Sequence, residues 1–317
     1  MNPAATGRNG QDFEGKENIG RDGGSEIWPE VLYSNRGSHY TSASCASLNP
    51  VMTTQSNSEL SSVGPLSETG EALSVAPRLF SETPLPAGGV LVLAEAMAHH
   101  AVRVLRLREG DALRLFDGTG GEFAACLTRI DKKSVEVRIE AHWAIERESV
   151  LPIRWVQCLQ GGDKMDFSLQ KAVELGVSEI VPVISQRSVV RLDGERALKR
   201  VAHWQQVVNA ACEQCGRNRV PRVQALQSLE RHLASSRKDD ALRLFLSPFA
   251  EHTMASLGAP SSVELLVGPE GGLAPHEAVA ARQAEFREIR LGPRVLRTET
   301  AGLAAIAAIH ATWGDFR

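Results

Sequence analysis

Charged and hydroxyl side chains crowd a short run near the carboxyl end of the chain, where Arg294 is followed by Arg297, Thr298, Glu299 and Thr300. Arginines can stabilise a negative charge that develops during a reaction, and a carboxylate can accept a proton or orient an arginine. A structural interpretation is also available, because either threonine can cap the apolar helix that follows and Glu299 suits its first turn. The run therefore predicts electrostatic catalysis or a helix start.

Two loops rich in glycine and proline would position these groups. The first covers residues 265–273, with the sequence LLVGPEGGL, and the second covers residues 291–302. Each follows an apolar run typical of a buried strand and precedes a helical pattern, and ligands of open α/β sheets bind at the carboxyl ends of strands. The pair predicts a rigid backbone pocket for a small polar molecule, although GPEGG by itself is also ordinary turn sequence.

The surrounding sequence alternates strand and helix patterns from residue 153 onwards. Asp163 and Gly176 fit the start and the left-handed end of one of these helices. The alternation favours a mostly parallel sheet with helices on both faces. The predicted strands are residues 153–159 and 179–184, a short strand near Val223, and residues 242–246, 263–267 and 286–291. The predicted helices are residues 163–175, residues 195–215, a helix from about residue 275, and residues 300–312.

The last predicted helix is apolar nearly all round, from Ala301 to Ile309. A helix of this kind must be buried on most of its faces. A small domain rarely encloses a helix completely, so the pattern predicts a homodimer in which alanines allow close helix contact. A fully enclosed core helix is the alternative.

Residues 78–143 contain mostly short β patterns and one helix, predicted at residues 95–105. The apolar face of that helix, with Ala98, Val102 and Leu105, would pack on the sheet. Its opposite face is basic and either binds phosphates or is simply solvated. The candidate nucleic-acid contacts, on this face and elsewhere, are Arg78, His99, Arg103, Arg106, Arg217 and Arg219.

The chain has 317 residues and 43% hydrophobic content, which is enough for two domains with buried cores. Residues 1–77 carry four basic and nine acidic side chains, a net charge of −5, so the formal charge of −3 leaves +2 for residues 78–317. That part is only mildly basic, and attraction of phosphates depends on local clusters. The first segment lacks sustained periodicity and predicts a disordered extension.

The sequence shows neither an apolar run of membrane-spanning length nor a signal peptide, which predicts a cytoplasmic protein without membrane contact. Cys212 and Cys215 form a single CxxC pair. Because no second pair or nearby pair of histidines accompanies it, we expect packing residues and no metal site.

Taken together, LVGPEGGL and LGPRVLRTETAGLAAIAA resemble the signature loops of the bacterial small-subunit (16S) ribosomal RNA uridine-N3 methyltransferases, a branch of the SPOUT methyltransferases. The resemblance extends to GGDKMDFSLQKAVELGVSEIVPVIS from Gly161, to ACEQCGRNRVP from Ala211 and to RVLRLREGDALRLFDG from Arg103. It covers roughly residues 78–316 with the expected spacings. The chain departs from the family at residues 161 and 162, where the family has a more polar or basic pair.

The resemblance implies an α/β fold in which a small PUA-like β-barrel that docks RNA precedes a SPOUT methyltransferase domain with a C-terminal trefoil knot. It also implies a homodimer that contacts through the C-terminal domain. We therefore expect an extension at residues 1–77, a barrel at residues 78–143, a linker at residues 144–152 and a methyltransferase domain at residues 153–317.

Within the resembled family, S-adenosylmethionine lies against three loops. We therefore expect the cofactor contacts to be Leu246, Pro248, Val267, Gly268, Pro269, Glu270, Gly271, Gly272, Leu291, Gly292, Leu296 and Thr300.

The implied substrate is a uridine of 16S ribosomal RNA in the small subunit, whose N3 atom carries a weakly acidic imide proton. Before N3 can take a methyl group, that proton must leave and the charge on O2 and O4 must be stabilised. Arg294 and Arg297 are the candidates for stabilising the charge, and Glu299 is a candidate to accept the proton or orient an arginine. The identity of the base stays open.

Other functions fit parts of the sequence. A dinucleotide-dependent oxidoreductase is disfavoured because no GxGxxG follows a strand. A non-enzymatic RNA- or ribosome-binding module would explain the basic helix but leave the two loops unexplained. A SPOUT methyltransferase acting on another RNA position would share both features.

Overall fold

A computed structural model of the chain describes residues 76–235 and 239–316. The strands of these residues form two separate sheets. The extension predicted at residues 1–77 lies outside the described residues, apart from Ala76 and Pro77.

The first sheet contains five strands whose inward side chains form a core of their own. Leu113 and Leu115 alternate into this core from one strand, and Val135 and Val137 from another. The strands are β1 (Arg78–Phe80), β2 (Gly89–Val92), β3 (Ala112–Phe116), β4 (Glu122–Ile130) and β5 (Val135–Trp143), in the order β1-β3-β4-β5-β2. These strands agree with the short β patterns predicted for residues 78–143.

The helix of this part of the chain differs from the prediction. Helix α1 (Glu95–His99) passes into a turn of π-helix at His100–Val104. Met97 and Ala101 are buried, and the wider turn changes the helical spacing of the residues that follow. Leu105, predicted on the apolar face, is 37% exposed. That part of the helical-face prediction is wrong.

The second sheet is parallel in all of its described strand pairings. Its strands are β6 (Ile153–Cys158), β7 (Glu179–Ile184), β8 (Arg222–Val223), β9 (Gln227–Ser228), β10 (Leu242–Leu246), β11 (Val263–Val267) and β12 (Arg287–Ile289). The order is β12-β10-β11-β6-β7-β8, and β9 also pairs with β7. The prediction of a mostly parallel sheet is confirmed.

Helices cover both faces of this sheet. They are α2 (Lys164–Glu174), α3 (Gly194–Cys215), α4 (Leu229–Ala234), α5 (Pro275–Gln283) and α6 (Thr298–Trp313). Helices α2, α3 and α6 pack in one core, to which Trp155 belongs, and α4 and α5 pack in the other, to which Val156 belongs. Because neighbouring residues of a strand point to opposite faces, a sheet covered on both sides has nearly continuous apolar strands.

Three predicted helix ends can be compared with the structure. Asp163 is the N-cap residue of α2, but its side chain makes no capping hydrogen bond. Gly176 follows α2 with φ +92°, the left-handed conformation predicted for it. Helix α6 begins at Thr298 with Arg297 as its N-cap, so the prediction that Thr298 or Thr300 caps this helix is wrong.

Helix α6 is only partly enclosed. Its buried side packs closely on the sheet, and a Cβ on Gly302 would lie 3.4 Å from Trp155 Nε1. The opposite side, with Leu303, Ala304 and Ala307, is half-buried. The alternative of a fully enclosed core helix is therefore wrong for the single chain. No helix in the described parts of the chain has the length and apolar character needed to cross a bilayer.

Candidate functional site

Three loops meet at the carboxyl edge of the second sheet. Strands β12, β10 and β11 are adjacent and parallel, so the loops that follow them leave the sheet on the same side. These loops enclose a cavity of about 680 Å³. Such an edge is the usual ligand site of an open α/β sheet.

Most of the predicted cofactor contacts lie in the cavity wall. These are Leu246, Pro248, Val267, Gly268, Pro269, Glu270, Gly271, Gly272, Leu291 and Leu296. The structure therefore brings both glycine- and proline-rich loops to one cavity. Gly292 and Thr300 are exposed and are not among the lining residues, so their contact with a cofactor stays a prediction.

Backbone groups and apolar side chains form this wall. Among the described residues, the amide groups of Gly271, Leu291 and Leu296 have no hydrogen-bond acceptor. Gly272 adopts φ +66°, which favours glycine, and a Cβ on Gly271 would lie 3.4 Å from Arg187 Cβ. The wall thus offers free backbone donors between leucine and valine side chains, a combination that suits an uncharged ring with polar edges.

The three predicted catalytic residues, Arg294, Arg297 and Glu299, also line the cavity. Both arginines are exposed, and neither side chain has a hydrogen-bond or ion-pair partner within the described part of the chain. Helix α6 starts beside them at Thr298, so the partial positive charge of its amino end adds to theirs. This side of the cavity can stabilise a negative charge on a ligand.

Thr298 joins the two loops through its hydroxyl group. Its Oγ1 donates to Gly268 O at 2.6 Å and accepts from Gln157 Nε2 at 3.3 Å and Gln160 Nε2 at 3.5 Å. Ser168 Oγ on α2 donates to Gln160 Oε1 at 2.9 Å. The sequence interpretation treated Thr298 as a helix cap, and no sequence signal identified the two glutamines.

Two basic residues in the wall, Lys164 and Arg187, were not predicted. Arg187 Nη1 donates to Gly271 O at 2.9 Å and fixes the glycine turn. Lys164 lies in the segment that resembles the family, which was the only sequence signal for it.

Glu288 adds a carboxylate to the wall on β12. Burial raises the pKa of Glu288, but hydrogen bonds with Arg282 and Ser247 outweigh burial and hold this pKa below its usual value. Glu288 is therefore ionised at neutral pH, and its carboxylate already accepts hydrogen bonds from Arg282 and Ser247.

Four of the predicted nucleic-acid contacts are at the surface. His99, Arg103 and Arg106 are exposed on and just after the α1 and π-helix segment. The side chain of Arg219 is 59% exposed, and its Nε atom lies 3.4 Å from Glu146 Oε2. These side chains are accessible to a phosphate backbone.

Arg78 and Arg217 are buried, so their prediction as nucleic-acid contacts is wrong. Arg78 Nη1 donates to Cys212 O at 2.7 Å, and Arg217 Nη1 donates to Val177 O at 2.8 Å. Arg217 also forms an ion pair with Glu148. Protein acceptors take up these donors, so neither guanidinium is free to bind a ligand. Arg78 links β1 to the end of α3, and Arg217 links the segment after α3 to Glu148 and to Val177.

The CxxC pair lies at the end of α3. Cys212 is fully buried in the core, and Cys215 packs partly against it. Burial raises the pKa of Cys212 to about 12, so its thiol is protonated at neutral pH. A buried, protonated thiol serves as a packing group.

Comparisons with known proteins agree with this arrangement. Residues 147–310 match the family model described as RNA methyltransferase domain, and residues 93–140 match the one described as RNA methyltransferase PUA domain. A ribosomal RNA small subunit methyltransferase E from Buchnera aphidicola subsp. Schizaphis graminum is 33% identical over 240 residues, which cover 75% of this chain and 97% of the relative. The protein of that name from Bacillus subtilis is 34% identical over 221 residues, which cover 67% of this chain and 86% of that relative.

A solved structure is also similar. The crystal structure of a ribosomal RNA small subunit methyltransferase E from Neisseria gonorrhoeae, bound to S-adenosyl methionine, matches with a TM-score of 0.73 and 42% sequence identity. The match covers 76% of this chain and 100% of that chain.

Proposed function

Because the chain belongs to the family of ribosomal RNA small subunit methyltransferases E, we propose that it transfers a methyl group from S-adenosylmethionine to N3 of a specific uridine in 16S ribosomal RNA. The observation that carries the proposal is the meeting of the loops after β11 and β12 around one cavity. The substrate is the RNA of the small ribosomal subunit, and the reaction takes place in the cytoplasm.

The cavity fits the methyl donor in size and chemistry. Its volume of about 680 Å³ is within the usual range for small-molecule sites. Leu246, Leu291 and Leu296 would pack against the adenosyl group, and the free amide groups of the loops would pair with the polar edges of the adenine ring. The position of the predicted residues in the cavity wall supports their assignment as cofactor contacts.

S-adenosylmethionine supplies a methyl group bound to a positively charged sulfur. The chain must remove the N3 proton of the uridine and stabilise the charge that spreads to O2 and O4. Arg294 and Arg297 carry permanent positive charges in the cavity wall and would stabilise that charge together with the amino end of α6. This assigns to the two arginines an electrostatic role.

Methyl incorporation into small ribosomal subunits tests the proposal. Subunits from a strain that lacks this methylation would be incubated with the protein and labelled S-adenosylmethionine, and the modified base would be mapped by mass spectrometry. We expect 3-methyluridine at one position. Label at another base or atom would indicate a different RNA specificity, and subunit binding without label would indicate an RNA-binding module. Calorimetry should show binding of S-adenosylmethionine and none of NAD.

Replacing Thr298 by valine should weaken cofactor binding about tenfold. The change removes the hydrogen bond to Gly268 O and leaves that carbonyl without its partner, which costs about 1–3 kcal/mol for a buried group. Calorimetric titration with S-adenosylmethionine measures the effect. Thr312→Val is the matched control, because Thr312 makes a similar bond to Ala308 O at the exposed end of the same helix. Equal affinities of the two variants would contradict the prediction.

Replacing Arg103 by alanine should weaken binding to ribosomal RNA whatever its sequence. Arg103 is exposed on the basic face, where one lost phosphate contact lowers the slope of log affinity against log salt by about 1. Binding to small subunits at several salt concentrations measures this slope. Arg231→Ala, which removes an exposed arginine from α4, is the control. An unchanged slope for Arg103→Ala would exclude this contact.

We propose that the active form is a homodimer that contacts through the C-terminal domain. The half-buried apolar side of α6, with Leu303, Ala304, Ala307 and Ala308, supports this, because a second chain would cover it. Sedimentation equilibrium should give the mass of two chains. A monomer at the concentrations used for the activity measurements would contradict the proposal.

Domain boundaries and chain threading belong to the same proposal. The ranges 78–143, 144–152 and 153–317 are supported by the two separate sheets and by the family matches at residues 93–140 and 147–310. The C-terminal segment is proposed to form the trefoil knot of the SPOUT fold. An experimental chain trace in which this segment passes through no loop would contradict the knot.

A further inference from the structure

Lys164 occupies an electrostatically unfavourable position. It is the first residue of α2, and the amino end of a helix carries a partial positive charge. Its side chain is also in the wall of the cavity. A positive side chain at this place needs nearby negative partners.

Two carboxylates on the opposite loops provide those partners. Lys164 Nζ lies 3.8 Å from Glu270 Oε1, in the loop after β11, and 3.6 Å from Glu299 Oε1, in the first turn of α6. Glu270 Oε1 also accepts from Gly161 N at 3.3 Å. One ammonium group therefore connects the start of α2 with both loops of the cavity.

Of the three carboxylates in the cavity wall, Glu299 differs from the others. Glu270 is held by Gly161 and Lys164, and Glu288 is held by Arg282 and Ser247. Glu299 has one oxygen, Oε1, beside Lys164, while Oε2 is buried and has no hydrogen-bond partner among the described residues. A buried acceptor without a donor is unfavourable, so this oxygen suits an N–H group brought by a ligand.

We propose that Lys164 is a positioning residue that holds Glu299 so that Glu299 Oε2 accepts the N3 proton of the target uridine; this inference rests on the proposed function. In that step the N3–H bond breaks and the proton moves to Oε2. The electron pair of N3 forms the bond to the methyl carbon, and the sulfur keeps the electron pair of the carbon–sulfur bond that breaks. The resulting protonated Glu299 then releases its proton to solvent.

Four variants test this role: Lys164→Met, Lys164→Arg, Glu299→Gln and the double variant Lys164→Met/Glu299→Gln. Turnover would be measured with saturating small subunits and S-adenosylmethionine, and cofactor affinity by calorimetry. We expect kcat to fall about 100-fold or more for Glu299→Gln, as for loss of a general base. Lys164→Met should lower kcat about tenfold or more, with little change in cofactor Kd, and Lys164→Arg should restore most of the activity.

The double variant separates positioning from independent roles. If Lys164 acts through Glu299, the double variant should be no slower than Glu299→Gln alone, because residues that act as one unit have non-additive effects. Lys171→Met is the matched control, since Lys171 lies on the same helix and pairs with Glu174. It should keep wild-type turnover.

Four results would overturn the inference. Additive losses in the double variant, or a raised cofactor Kd for Lys164→Met with unchanged kcat, would make Lys164 a cofactor-binding or structural residue. Near-normal kcat of Glu299→Gln would exclude Glu299 as the proton acceptor and leave the proposed function intact. Failure of the wild-type protein to methylate subunits would overturn the proposed function and this inference together.

Discussion

Replacing Arg297 by alanine should lower kcat for methyl transfer about 10²–10³-fold while the protein stays folded. Loss of one group that stabilises charge in a transition state has an effect of this size. Arg297 is the N-cap of α6, yet its side chain makes no capping hydrogen bond, and it is exposed beside the cavity. Its removal therefore takes away a positive charge from the site without breaking a side-chain hydrogen bond or ion pair within the described part of the chain.

Single-turnover methylation of small subunits, together with a thermal melt of the variant, measures this effect. Arg287→Ala is the control, because Arg287 is also exposed but lies on β12 and outside the cavity wall. Near-normal turnover would remove Arg297 from the catalytic residues. A rise in KM for subunits with unchanged kcat would assign it to RNA binding alone.

Replacing Arg78 by methionine should lower the free energy of unfolding by about 3–5 kcal/mol, the usual effect of removing one partner of a buried ion pair. Arg78 lies 3.3 Å from the buried Glu122 and donates to the carbonyl oxygens of Cys212 and Arg217. Burial lowers the pKa of Arg78 more than the attraction of Glu122 raises it. Methionine fills the space but leaves the carboxylate and the carbonyls with fewer donors.

Urea denaturation followed by circular dichroism measures this loss. Arg103→Met is the control, because Arg103 is exposed and lies in the same part of the chain. Arg78 belongs to β1, whereas Cys212 ends α3, so the variant should also let the first sheet unfold separately from the second. A loss of less than about 1 kcal/mol, with one unchanged transition, would contradict the role of Arg78 as a link between the sheets.

Local sequence patterns were sufficient for the longer strands of the second sheet, but not for the two-residue strand β9. Strands such as β6 and β11 are apolar on both faces, and the helices between them start and stop at recognisable residues such as Gly176. Apolar runs and helix-ending residues are local signals, because each lies within a few residues of the strand or helix end that it indicates. The π-helical turn at His100–Val104 was not predicted, because the residues there also fit an ordinary α-helix and no local signal distinguishes the two.

For the site too, some features followed from local sequence and others only from the tertiary structure. By itself, the sequence determined which consecutive residues form the two loops, and the connectivity of parallel strands brings both loops to one edge of the sheet. Only the tertiary structure decided that Thr298 binds Gly268, that Lys164 faces Glu299, and that Arg78 and Arg217 are buried. The partners of Arg78 illustrate the physical reason, since Cys212 is 134 residues away along the chain. Hydrogen bonds and burial depend on distance in space, and packing alone brings such distant residues together.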